Sequence, residues 1–467
     1  MNSLLVKNAD IVITMDAGRS KIHGGGLFVR DNVIEQLGTN DELPTVADQV
    51  IDATGMAILP GLVNTHHHFF QSLFRALPGA QDHGLFDWLE RLFPIYGELT
   101  AEAFRLGSLT AMSEMILSGC TTSSDHHYLY TNDSTLDVQV MAAKEIGLRF
   151  HPTRGAMSLG KSHGGLAPDN LVQGEDEILD DCYRLIDSYH DPNPFSMIRI
   201  GIAPCTPFSV TKNLMRESAK LARSSKNVRL HTHVAETLDE ESYCLSKFNQ
   251  RPAKYMEEVE WVGPDVWWAH SIFVNKDEIK MLADTGTGVA HCPSSNMRLG
   301  SGICPVRDML DFGVKVGIGV DGSASNDCGH LINEARTAVL LQRVNKGASN
   351  FSVNEGLELA TVGGASVLGR DEIGSLTAGK AADFIGVDLN TLNMAGGAIH
   401  DPMAALLLCR VDKVVFSIIN GNIVVQDGKL LTLDLDNLIA NHNKIAAEMV
   451  SRHSASERFS SKNIFTE

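Results

Sequence analysis

Two short stretches place pairs of histidines two residues apart. Asn64-Thr65-His66-His67-His68 and His231-Thr232-His233-Val234-Ala235-Glu236 each follow an apolar run. Side chains alternate across an extended chain, so His66 and His68 share a face, and so do His231 and His233. Two imidazoles on one face can reach one metal ion; a plain polar patch is the alternative. Glu236 lies three residues past His233, where the chain should turn into a loop. A carboxylate there can act as general acid and base beside an activated water, or it can open the next helix, where an acid suits the dipole. Two further apolar runs end in Ala269-His270 and Gly319-Val320-Asp321-Gly322. His270 is either a core residue or a proton carrier. Asp321 either takes a metal position and accepts a proton, or starts an Asx turn. Jointly, His66, His68, His233 and Asp321 supply three nitrogens and one oxygen, a set that suits Zn2+ or Fe2+ with one position left for water. Such an ion brings the pKa of water toward neutrality, and Glu236 and His270 are left for proton transfer. Two-metal barrel hydrolases often bridge their ions with a modified lysine at the fourth strand end. Here that run ends in Ala203-Pro204-Cys205, so a single metal is expected.

These residues need strand ends that converge. Eight short apolar runs satisfy this: Ile58–His66, Cys120–His126, Leu148–Arg154, Met197–Pro204, Val228–His233, Val266–His270, Thr287–Cys292 and Lys315–Asp321. Helical stretches separate them. Thr100 can cap a helix running to Leu117–Ser118 with Gly119 behind it, and Leu136–Ile146 stops at Gly147. Eight strand–helix units predict a (β/α)8 barrel of the TIM type, whose active site sits at the strand C-termini. Both chain ends are β-rich. Leu4–Thr14 and Leu27–Leu37 read as strands with a tight turn at Asp31-Asn32, and Ala381–Asp388 and Val411–Val425 as strands with a turn at Asn420-Gly421-Asn422. The expected organisation is a small β-sandwich built from residues 1–58 and 371–433, a barrel over 59–370, and a C-terminal helix and polar tail over 434–467.

Bulk properties narrow the class. The 467 residues carry 39 Lys and Arg against 57 Asp and Glu, a net charge of −18. That balance argues against nucleic-acid binding, which uses a basic face, and serves solubility instead. No apolar stretch is long enough for a membrane span. The residues Met1 to Asp10 lack the pattern of a signal peptide. None of the eight cysteines forms a CxxC pair, so free thiols in a cytoplasmic protein are expected.

The chain resembles the amidohydrolase superfamily, in its branch of cytosine and guanine deaminases and chlorohydrolases. The resemblance rests on Pro60–His68, His231–Glu236, Ala269-His270, His291-Cys292-Pro293-Ser294-Ser295-Asn296, Gly319–Gly322 and Gly374–Phe384. It implies metal ligands at His66, His68, His233 and Asp321, an acid/base at Glu236 and a proton shuttle at His270. Leu117–His126, Arg154–Ser158, Ala203–Val210 and Asn296–Ile303 are similar to deaminases of oxidised purines. They imply release of ammonia from 8-oxoguanine. Guanine, isoxanthopterin and hydroxytriazines are the near rivals, and a non-catalytic barrel scaffold is the distant one. Gln71 stands where guanine deaminases place a glutamine that reads the ring, although a surface helix start is its plain alternative. Arg154 either holds a carbonyl-rich ring edge or forms a structural ion pair. Cys205 contacts the ring without an assigned role, and Trp88 either stacks on it or anchors a helix. Related adenosine-type deaminases carry histidine at the position of Cys205. The expected partners are a small heterocyclic substrate and, in a homo-oligomer, further copies of the chain.

Overall fold

The computed structural model describes residues 3–462, with side chains through residue 453. Eight parallel strands close into a barrel: Leu62–Asn64, Cys120–His127, Arg149–Ala156, Gly201–Pro204, Arg229–Val234, Val266–His270, Gly288–His291 and Val316–Ile318. Each pairs with its chain neighbours, and Ile318 opposite Asn64 closes the ring. The helices between them begin and stop where local chemistry dictates. Thr100 accepts from the Ala103 amide at the head of Ala101–Leu117, and Gly119, with φ 101°, ends it. Gly147, with φ 84°, ends Leu136–Ile146 in the left-handed conformation that glycine adopts without a Cβ clash.

The run Ile58–His66 is not one strand. It splits into Met56–Pro60, which belongs to a separate sheet, and Leu62–Asn64, which opens the barrel. Gly61 is the junction. A Cβ there would lie 2.0 Å from the Thr121 hydroxyl oxygen, so only glycine lets the chain cross so close to the second barrel strand.

The separate sheet has nine strands from both chain ends. At its centre, Met56–Pro60 pairs with Phe384–Asp388 on one side and Ser3–Ile13 on the other. The sheet curls until Val33 bridges Ala381, and Ile34 donates to the Lys380 carbonyl at 2.9 Å. Leu4, Val6, Leu27, Ile58, Phe384 and Ile418 fill the interior of this curl, so both chain ends build one continuous curled sheet and share its core. Its hairpins turn at Asp31-Asn32 and at Asn420-Gly421, the latter with φ 51° and 80°, as a twisted two-residue turn requires.

One buried ion pair ties sheet to barrel. Arg149, which opens the third barrel strand, donates to both oxygens of Asp383 at 2.7 and 2.9 Å, and both side chains are almost fully buried. Removing one partner leaves a charge stranded. Asp383→Ala is expected to cost about 3–5 kcal/mol in denaturant unfolding, with the Arg149→Met/Asp383→Leu double variant recovering much of it; a loss under about 1 kcal/mol for the single variant would count against a dry pair.

The C-terminal helix, Leu435–Lys462, packs on Ala101–Leu117 and on the 3-10 turn Phe69–Phe74, where His442 and Ser72 hydrogen-bond at 3.1 Å. Residues 1–2 of the N-terminal stretch and 463–467 of the expected polar tail lie outside the described residues. All eight cysteines are unbridged. Among the described residues, no helix is long and apolar enough to cross a membrane.

Candidate active site

The C-terminal strand ends bring His66, His68, His233, Glu236, His270 and Asp321 into one buried cluster. His67 points away: its Nδ1 accepts from the His68 amide, and its ring packs on Phe69. Three of the strand ends turn through left-handed backbone, at Ala235 (φ 55°), His270 (φ 71°) and Asp321 (φ 62°). Non-glycine residues rarely adopt it, and such strain concentrates at functional sites. The turn at Ala235 is held by Glu240, whose carboxylate accepts from the Ala235 and Glu236 amides at 2.9 and 2.8 Å.

The donor set is arranged for a cation. His66 Nε2 and His68 Nε2 lie 3.2 and 3.5 Å from Asp321 Oδ1, and His68 Nε2 lies 3.2 Å from His233 Nε2. His68 Nδ1 donates to the His126 carbonyl and His233 Nδ1 to the Cys205 carbonyl, each at 2.7 Å. In the neutral rings both Nε2 atoms therefore hold lone pairs. Burial keeps the rings neutral, pushing His66 and His233 well below the usual imidazole range and His68 below it. Burial pushes Asp321 up, but contact with the His66 ring and the positive charge favoured on nearby His270 outweigh it and hold the carboxylate ionised. His66 Nε2 is buried without a hydrogen-bond partner. Converging lone pairs with no proton between them repel, and a divalent cation is the group that reconciles them; three nitrogens and a carboxylate oxygen suit Zn2+ or Fe2+.

Beside this set, Glu236 Oε2 lies 3.5 Å from His270 Nε2, which lies 3.9 Å from Asp321 Oδ2. Burial pushes the Glu236 carboxyl up to about 7, against the pull of His270, so it can carry a proton near neutrality. Burial disfavours charge on His270, yet Glu236 and Asp321 outweigh it and raise its pKa. Asn296 fixes the ring by accepting from His270 Nδ1 at 3.0 Å. Glu236 does not start a helix: the next begins at Leu238, capped by Thr237.

The cluster opens into a cavity of about 490 Å³, mouth included, with a largely apolar wall that includes Leu85, Phe93, Phe208 and Leu299. Gln71, Trp88 and Cys205 line it. Gln71 sits in the 3-10 turn Phe69–Phe74, its carbonyl facing the Ala324 amide at 3.3 Å. Trp88 is on the helix Leu85–Tyr96, so it anchors that helix and faces the cavity at once; its indole nitrogen is buried without a partner. Burial holds the Cys205 thiol protonated.

Arg154 is a correction. It does not line the cavity. Its guanidinium donates to Asp181, Gln173 and the Gly155 carbonyl at 2.8–2.9 Å and lies over the Tyr130 ring. The structural ion pair is the role the structure gives it. Sequence reasoning missed Asn296 and Glu240, which act from a loop-helix and a helix rather than from strand ends. The only signal for Asn296 was its place in His291–Asn296.

Residues 57–429 match the model of the amidohydrolase family. The chain belongs to that family. It is thus a hydrolase of carbon–nitrogen bonds that uses a divalent metal, and its relatives divide by substrate. An 8-oxoguanine deaminase of Pseudomonas aeruginosa is 46% identical over 91% of this chain and 95% of its own length. A hydroxydechloroatrazine ethylaminohydrolase of a Pseudomonas species is 36% identical over 93% of each. Among solved structures, the zinc complex of an atrazine chlorohydrolase from Arthrobacter aurescens superposes with a TM-score of 0.90 at 33% identity, covering 95% of this amidohydrolase and 100% of that chain.

Proposed function

We propose that this amidohydrolase removes ammonia from 8-oxoguanine, adding water to give urate. The observation that carries the chemistry is the buried set of three neutral imidazoles and one carboxylate, opening under Glu236 and His270 into a largely apolar cavity. The choice of ring is supported by the 46% identity to an 8-oxoguanine deaminase, against 36% to a triazine aminohydrolase and 35% to an isoxanthopterin deaminase.

His66, His68, His233 and Asp321 would hold the cation, Zn2+ in our reading, whose contribution when bound is Lewis acidity toward water. The chain's own groups do the rest. The apolar wall and Trp88 take the planar ring, and the Gln71 amide, which can donate and accept, reads its edge. Glu236 carries a proton to the ring nitrogen beside the reacting carbon. Asp321 accepts a proton from the attacking water, and His270, between Glu236 and Asp321, passes it to the departing amine. Cys205 contacts the ring as a neutral thiol.

The deciding experiment compares kcat/KM for 8-oxoguanine, guanine, isoxanthopterin and a hydroxytriazine, following ammonia release and urate absorbance. The highest value is expected for 8-oxoguanine; an inactive or slower reaction there than on a rival ring overturns the substrate. Gln71→Leu is expected to raise KM about tenfold and leave kcat within a fewfold, as loss of one ring hydrogen bond predicts; an unchanged KM removes Gln71 from the substrate contacts. Metal analysis of the purified protein tests zinc against iron. Light scattering and cell fractionation test the expected homo-oligomer and cytoplasmic location.

A further inference from the structure

We propose that His231 is a positioning residue, which fixes His66 in the tautomer that presents Nε2 to the metal position. The inference rests on the reading of His66 as a ligand. His231 Nδ1 lies 3.0 Å from the Trp267 carbonyl, which can only accept. That nitrogen therefore bears the proton, and His231 Nε2 bears a lone pair. His66 Nδ1 lies 2.8 Å from His231 Nε2 and must donate to it. The remaining nitrogen, His66 Nε2, is left as a lone pair aimed toward Asp321 and without another partner. All three residues are fully buried, so no bulk water competes for these bonds.

His66 is distinguished from its neighbours by this contact. His68 and His233 reach the same tautomer by donating to backbone carbonyls directly. His66 instead donates to a second imidazole. An imidazole lone pair is a more basic acceptor than an amide oxygen, so it draws the Nδ1 proton further and makes His66 Nε2 the more electron-rich ligand. The relay is braced. The His231 ring stacks on Trp267 with centroids 4.4 Å apart and planes 13° apart, and the Trp267 indole donates to the Thr65 carbonyl at 3.0 Å, next to His66. Strands one, five and six thus hold a single proton position from three sides.

The test compares His231→Gln, His231→Asn and His231→Phe in the full chain. A glutamine carbonyl reaches about as far as Nε2 and can keep the bond; asparagine reaches only to Nδ1; phenylalanine keeps the stacking and loses both polar atoms. Metal is removed, and zinc affinity is measured by competition with a chromophoric chelator, alongside the visible spectrum of the cobalt-loaded proteins. H231N and H231F are expected to bind zinc about 10–100-fold more weakly, with an altered cobalt spectrum, and H231Q to stay within a fewfold of the parent. Equal affinity in all four proteins, or a loss in H231Q as large as in H231F, overturns the relay. If H231F fails to fold, the contrast between H231N and H231Q decides. His66→Ala separates the two layers: unchanged zinc affinity there brings down the ligand assignment and the relay with it, whereas a large loss there with none in H231N or H231F overturns the relay alone.

Discussion

Turnover is expected to fall at least about 10⁴-fold when the protein is stripped of metal with a strong chelator, and to return when zinc is restored, because Lewis activation of water supplies several kcal/mol of the barrier reduction. The reason is visible in the donor set. With burial holding the His66, His68 and His233 rings neutral, Asp321 is the one charged group among the four proposed ligands. None of these groups would by itself make water acidic near neutrality, which is what a divalent cation supplies before Asp321 takes the proton. The stripped protein should also lose stability. A ligand present at a thousand times its Kd stabilises by about 4 kcal/mol, so the unfolding temperature should drop by several degrees. Parallel assays of turnover and thermal unfolding on stripped and reloaded protein check both. A stripped protein that keeps a tenth of its activity would break the assignment of the cluster as a metal centre.

Glu236→Gln is expected to lower kcat by about 10²–10⁴-fold, the range for removing a general acid/base. Glutamine preserves volume and can still donate to a carbonyl, but it cannot release and recapture a proton. Zinc content should stay at the parent level, because Glu236 contacts His270 and not the four proposed ligands. KM should move little, since the Gln71 side and the apolar wall are untouched. The measurement is steady-state kinetics together with metal analysis of the same sample. A kcat within tenfold of the parent, at full zinc content, would exclude Glu236 as the proton carrier; a coupled loss of zinc would instead make it a ligand.

The barrel was legible because its periodicity is local. His66 and His68 sit two apart, and the alternation of a strand is enough to say that they share a face. The capped helices Ala101–Leu117 and Leu136–Ile146 were legible for the same reason, since Thr100, Gly119 and Gly147 act on their own neighbours. What could not be read depends on distant partners. Arg154 is spent on Asp181 and Gln173, 27 and 19 residues away, and no spacing rule says which acid an arginine will find. Asn296 reaches His270 from a short helix after the seventh strand. The break at Gly61 depends on Thr121, which only the closed barrel brings near. His231 showed the same two-residue spacing as His66 and His68, yet spacing alone could not say that its Nε2 faces another imidazole.

The packing of the last described helix has a consequence for how the molecule is made. The turn Phe69–Phe74 carries Gln71, and its Ser72 is gripped by His442, 370 residues later in the chain. The strand that opens the barrel follows directly from one that must pair with Phe384–Asp388. A nascent chain emerging from the ribosome therefore exposes its histidine cluster long before it can seat the parts that brace it. Such long-range closure slows folding and lengthens the time for which apolar strands stand open to aggregation. Ribosome-stalled chains ending before residue 435 should be natural clients for chaperones.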